Sequence, residues 1–146
     1  MVRDYRDLEV WRLAMDLAEA TYGLVRDFPK SEEYRLTSQL LRAAASIPAN
    51  IAEGNARASR RDYARFIAIA RGSLAETETF LMLARRVALA QPDAIDPVLA
   101  LADRVGRMLN GLHRSLDQPA SVSPIVTVRR SILPPRSGSV DSRGAW

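Results

Sequence analysis

Cysteine is absent from the chain, so no disulfide, thiolate metal site or cysteine nucleophile can form. Histidine occurs once, at His113, and the residue three before it is Asn110. A di-metal carboxylate centre in a helical bundle needs Glu-x-x-His pairs on two helices, so the ligand count fails. No Gly-rich phosphate loop precedes a helix, and no Ser/His/Asp order suggests acyl transfer. Glu76 and Glu78 stand two apart and cannot share a helix face for acid/base work. No apolar run approaches the ~18 residues of a membrane span, and the N-terminus is charged within its first few residues. The expectation is a soluble, cytoplasmic, non-enzymatic protein with no cofactor, no metal and no membrane partner. Lysine is nearly missing too: Lys30 is the one lysine, and every other basic side chain is arginine. High-GC coding produces such a bias without function, whereas arginine's planar fork suits phosphate and stacking contacts.

What is present is helical periodicity. The organising stretch runs from Arg42 to Leu81. Ala52, Glu53, Gly54 and Asn55 end one helical pattern, with Gly54 expected in the left-handed conformation past the last turn. Ser59 stands three residues before Asp62, a capping-box-like start for the next helix. Tyr63, Ile67, Ala70, Leu74, Thr77, Leu81, Ala84 and Ala88 then recur at alternating spacings of four and three, the seam of a helix packed nearly parallel to its neighbours. From Ser59 to Ala90 that helix would measure roughly 45–50 Å. A helix this long needs long neighbours beside it.

Three more segments supply them. The first helix is expected from Asp7 to Asp27, with the stripe Leu8, Trp11, Met15, Ala18, Tyr22 and Val25, widened by Val10, Leu13, Leu17 and Leu24. Phe28-Pro29 ends it. The second starts near Ser31 and carries Leu36, Leu40, Ala43, Ile47, Asn50 and Gly54. Pro48 lies inside it and predicts a kink or local unwinding. The fourth starts at Asp96-Pro97, read as N-cap and first helical residue, and carries Ile95, Val98, Ala102, Val105, Leu109, Leu112 and Leu116. Short loops make sequential helices antiparallel. The fold class is therefore all-α, an up-down-up-down four-helix bundle over residues 1–117. Residues 118–146 turn to Ser, Pro, Gly and Arg, the composition of a flexible tail.

Asn50 is polar at a seam position and needs partners, since burying an unpaired amide costs a few kcal/mol. Arg42, Glu53 and Glu76 are the candidates for a structural polar cluster. With the tail counted from Asp117, the net charge of +4 divides evenly, +2 to the body and +2 to the tail. Within the body, six arginines between Arg35 and Arg65 face only Glu53 and Asp62. Arg57, Arg60, Arg61 and Arg65 gather at the corner before the third helix, with Arg35 and Arg42 on the preceding one. A helix N-terminus adds its own positive dipole end. The candidate nucleic-acid-binding set is thus Arg35, Arg42, Arg57, Arg60, Arg61 and Arg65. The alternative is a protein-interaction scaffold with no nucleic-acid role. Apolar residues off the main seams (Phe66, Phe80 and Leu83, and the widened first helix) predict self-association.

The run from Arg42 to Leu81, with SIPANIAEG at Ser46–Gly54 and FIAIARGSLAETET at Phe66–Thr79, resembles the four-helix-bundle proteins encoded in intervening sequences of bacterial large-subunit ribosomal RNA genes. YRDLEVWRLAMDLA at Tyr5–Ala18 resembles the start of that family as well. The resemblance implies an antiparallel four-helix bundle assembled as a homopentamer. A related branch includes the accessory protein of diversity-generating retroelements, a basic pentamer that binds nucleic acid and a reverse transcriptase. Arg42, Ser46, Asn50, Glu53, Gly54, Phe66, Gly72, Ser73 and Glu76 match the family pattern and are read as mainly structural. The body's charge is lower than in that basic branch.

Overall fold

A computed structural model describes residues 4–119. The tail expected from residue 118 therefore lies, beyond Pro119, outside the described residues. Four α-helices follow in order: α1 (Glu9–Val25), α2 (Ser38–Asn55), α3 (Arg60–Arg86) and α4 (Pro92–Asp117). Helix α1 packs on α2, α2 on α3 and α3 on α4, and α4 returns against α1 to close the ring. The bundle is all-α and antiparallel, as the short loops required.

Each helix has a local cause. Ser59 has extended backbone and its hydroxyl accepts from the Asp62 amide at 3.1 Å, which caps α3. The far end of α3 closes on Ala88, which takes φ 57° where glycine is usual. There the Leu89 amide donates to the Ala84 carbonyl at 2.9 Å and the Ala88 amide to Arg85 at 3.2 Å, the bond pattern of a Schellman motif. The helix therefore stops at Arg86, about one turn short of expectation, with a length of about 40 Å. Helix α4 begins one turn earlier than the Asp96-Pro97 reading placed it. Pro92 is the first-turn proline, and Pro97 sits inside the helix, where only the bond to the Asp93 carbonyl is lost. Asp96 is no cap; its carboxylate accepts from Arg85 Nη1 at 2.7 Å and ties the two helix ends.

The core confirms the α3 and α4 seams. Ile67, Ala70, Leu74, Thr77, Leu81 and Ala84 meet Ile95, Val98, Ala102, Val105 and Leu109. Thr77 is buried but its hydroxyl donates to the Ser73 carbonyl at 2.8 Å, so that oxygen is not stranded. On α1 the inward face differs from the expected stripe. Val10, Leu13, Ala14, Leu17, Thr21 and Leu24 are buried, while Met15 and Tyr22 are exposed. Both faces have helical spacing, and the leucine-rich one fills the interior.

Helix α2 brings three corrections. It runs through the buried Pro48 without a break. The irregular turn lies instead at Glu33–Thr37, a π-helical segment in which Arg35 leaves helical geometry at φ −112°, ψ −109°. Asn50 is half-buried rather than in the seam, and Ile51 takes the core position. Gly54 keeps a negative φ. Its role is space: a Cβ there would lie 2.8 Å from Phe66 Cβ and 2.9 Å from Tyr63 Cδ2. This glycine lets the start of α3 press directly onto the end of α2.

Candidate nucleic-acid interface

The close approach at Gly54 sets the register of everything around the corner. The start of α3 then stands beside the end of α4, and Arg60 Nη2 donates to the Ser115 carbonyl. That contact satisfies one of the orphan carbonyls of a helix C-terminus. Arg60, Arg61 and Arg65 line a solvent-open depression of about 620 Å³ with His113, Leu116 and Asp117. His113 also borders a second depression, about 510 Å³, whose other lining residues are Arg71, Arg107, Asn110 and Arg114. The two make one basic band along the α3–α4 surface.

The arginines of this band are not equivalent. Arg65 lies 3.6 Å from Asp62, and its guanidinium stands 4.6 Å from the Phe66 ring centre. Arg107 pairs with Asp103 at 3.0 Å across one turn of α4. Arg61, Arg71 and Arg114 make no ion pair among the described residues. At the Arg60 end, Asp117 and the negative end of the α4 dipole offset part of the field. No carboxylate lines the second depression, so the field is least opposed there.

The six expected arginines do not form one surface. The structure brings Arg60, Arg61 and Arg65 together. Arg57 turns round the corner, pairs with Glu53 at 2.9 Å and lies 4.6 Å over the other flank of Phe66. Arg42 is about 18 Å along α2 from Gly54, at 1.5 Å per residue. Arg35 sits beyond the start of α2, at the opposite end of the bundle. Arg71, Arg107 and Arg114 were missed. Their signal was the spacing: eleven residues from Arg60 to Arg71 and seven from Arg107 to Arg114 keep each pair on one helix face.

The expected polar cluster is also divided. Asn50 Nδ2 donates to the Ser46 carbonyl at 2.7 Å, within its own helix. Glu53 is taken by Arg57. Arg42 and Glu76 line one small depression with Gln39, Ser46 and Ser73 but do not pair. The hydroxyls of Ser46 and Ser73 hydrogen-bond across the α2–α3 contact. A fourth hollow, about 470 Å³, caps the corner end of the bundle. Leu8, Tyr63, Leu112 and Leu116 form its apolar wall, and Arg57 and Arg60 its rim. Burial pushes the Tyr63 phenol up, opposed by its hydrogen bond to Asn55.

A ring of four long helices with a filled core, and a basic band along its α3–α4 surface, defines a helical-bundle protein. Sequence comparison gives the particular family. The chain belongs to the 23S rRNA-intervening sequence protein family, whose model matches residues 6–111. A solved structure with the same fold is a protein of unknown function from the S23 ribosomal protein family of Bacteroides thetaiotaomicron. It superposes with a TM-score of 0.66 at 23% identity, over 72% of this chain and 98% of that one. No curated protein matches.

Proposed function

We propose that this protein is a non-enzymatic, self-associating helical scaffold that binds RNA or DNA along the α3–α4 surface. The observation that carries the reading is the second depression, with Arg71, Arg107 and Arg114 around it and no carboxylate in its lining. Backbone phosphate is the matching ligand, because arginine forks bind phosphate and the lining of the band holds no Phe, Tyr or Trp on which a base would stack. Binding of this kind releases counterions and weakens steeply with salt. Self-association would repeat the band around an assembly and strengthen its field. Exposed Met15, Tyr22, Ile69 and Leu83 supply apolar surface for it. Five copies is the number the family resemblance implies. No helix among the described residues is long and apolar enough to cross a membrane.

The test is titration of labelled RNA and DNA at several salt concentrations. The triple change of Arg71, Arg107 and Arg114 to Ala is expected to lower affinity and to reduce the salt slope by about one for each phosphate no longer neutralised. Arg35→Ala, at the other end, is expected to leave binding unchanged. Absence of any shift at low salt overturns the proposal. The end hollow favours a second reading, in which Leu8, Tyr63, Leu112 and Leu116 seat an apolar side chain of a protein partner. Its signature is a co-purifying protein indifferent to nuclease and to the triple change.

A further inference from the structure

Histidine is the side-chain type whose charge ordinarily changes between about pH 5 and 8, and this chain has a single one. His113 lies half-buried on α4 and is the only residue common to the linings of the two depressions of the basic band. Helical spacing puts it on the divide. Asn110, three residues before it, lines the second depression, and Leu116 and Asp117, three and four after it, line the first. Its imidazole makes no hydrogen bond and no ion pair among the described residues.

Helix α3 leaves a gap beside it. Arg65 and Arg71 are six residues apart, about 9 Å of helix, and between them the lining holds only Ala68. A strand of phosphates passing from Arg60, Arg61 and Arg65 to Arg71, Arg107 and Arg114 crosses a stretch where α3 offers no side-chain donor and α4 offers His113. The charged groups around the ring are Arg60, Arg61, Arg65 and Arg71 from α3, and Arg107, Arg114 and Asp117 from its own α4. No residue of α1 or α2 lines either depression, and Asp117 is the one carboxylate in them. A neutral imidazole has one N–H to donate; its cation has two, and a charge. Positive neighbours oppose charging of an imidazole and a bound phosphate favours it, so phosphate and proton bind such a surface together. We infer that His113 is a proton-coupled phosphate ligand: a nucleic-acid strand lying along the band crosses from one depression to the other over this ring, which takes one proton from solvent as the strand binds. This rests on the nucleic-acid reading above and names the residue that joins the two halves of its surface.

The experiment is filter binding of radiolabelled oligouridylate and oligothymidylate to the full chain at fixed ionic strength. The bases and phosphodiesters of both probes keep their protonation state over the range used. Wild-type affinity is expected to rise about three- to tenfold between about pH 7.5 and pH 5.5, one linked proton allowing no more than tenfold per unit. His113→Gln is expected to bind at every pH with the weaker affinity, and His113→Arg at every pH with the stronger one. Circular dichroism checks that both variants keep the helical content of the wild type. Wild-type affinity that is flat over this range overturns the inference while nucleic-acid binding stands. A pH dependence that survives in His113→Gln also overturns it, because the proton then enters elsewhere. Retention of neither probe at any pH overturns the nucleic-acid reading and this inference with it.

Discussion

Helices α1 and α4 divide their surfaces in opposite ways. Helix α4 buries Ile95, Val98, Ala102, Val105 and Leu109 along one line, and none of its large apolar residues is exposed. Its outer side carries Asp103, Arg104, Arg107, Asn110 and Arg114 instead. Helix α1 buries an equally regular line through Leu13, Leu17 and Leu24, and then displays a second one through Met15 and Tyr22. A helix with one stripe commits its apolar residues to its own core, leaving the outer face free for charge. A helix with two stripes has an outer face that water disfavours, at about 25 cal/mol per Å² of apolar surface. The first arrangement supports a nucleic-acid surface, the second a contact with another copy.

The largest expected effect separates the two faces of α1 directly. Leu17→Ala empties a fully buried position and is expected to cost ~2–5 kcal/mol of protomer stability, as Leu109→Ala should in α4. Met15→Ala, on the outer stripe, is expected to change protomer stability by no more than ~0.5 kcal/mol. Urea unfolding at concentrations below assembly measures all three. A large loss at Met15 would erase the distinction between the faces.

That distinction also explains what could be read from residue order alone. The α4 stripe was legible because it is a single apolar line, and the α3 stripe because its four-three spacing runs unbroken from Tyr63 to Ala84, whereas the outward Ile69, Met82 and Leu83 do not continue it. The inward face of α1 was not, because two lines share the helical period and only the neighbouring helices choose between them. Pro92 and Pro97 each follow a residue able to begin a helix, and local chemistry does not rank them. Arg60, Arg61 and Arg65 were legible as a cluster because they are close in sequence. Arg107 and Arg114 join them only through the antiparallel register of α3 against α4, which no single helix reports. Arg35 and Arg42 were included on proximity along the chain, and the rise of α2 carries them away from the corner.

The corner that sets this register supplies the next prediction. Gly54→Ala forces a methyl against Phe66 Cβ and Tyr63 Cδ2, both anchored close to the α3 backbone. Neither atom is the far end of a flexible side chain, so the two helices must separate. The expected loss is about 1–3 kcal/mol, although alanine is otherwise the better helix former. Thermal unfolding of this variant beside Gly72→Ala sharpens the argument. The same substitution is expected to destabilise at position 54 and to stabilise the protomer slightly at position 72, where nothing is struck. A gain at both sites would remove the steric account of the corner.

The smallest effect concerns the α3–α4 contact behind the basic band. Glu78 on α3 is half-buried, and its carboxyl lies above the ordinary carboxylate range because burial penalises the charge and Asp103 on α4 adds repulsion. A carboxyl raised in the folded state binds its proton more tightly there than in the unfolded chain. Stability from this group therefore falls as pH rises from the unfolded value, near 4.5, through the higher folded one. Glu78→Gln is expected to raise the melting temperature modestly at pH 7 and to lose that advantage near pH 4, where the wild-type group is already protonated. Asp103 remains paired with Arg107 in both proteins, so the difference between the two melting curves isolates the Glu78 charge. A gain that is the same at both pH values would trace to packing by the amide rather than to charge, and would leave the α3–α4 seam electrostatically neutral at this point.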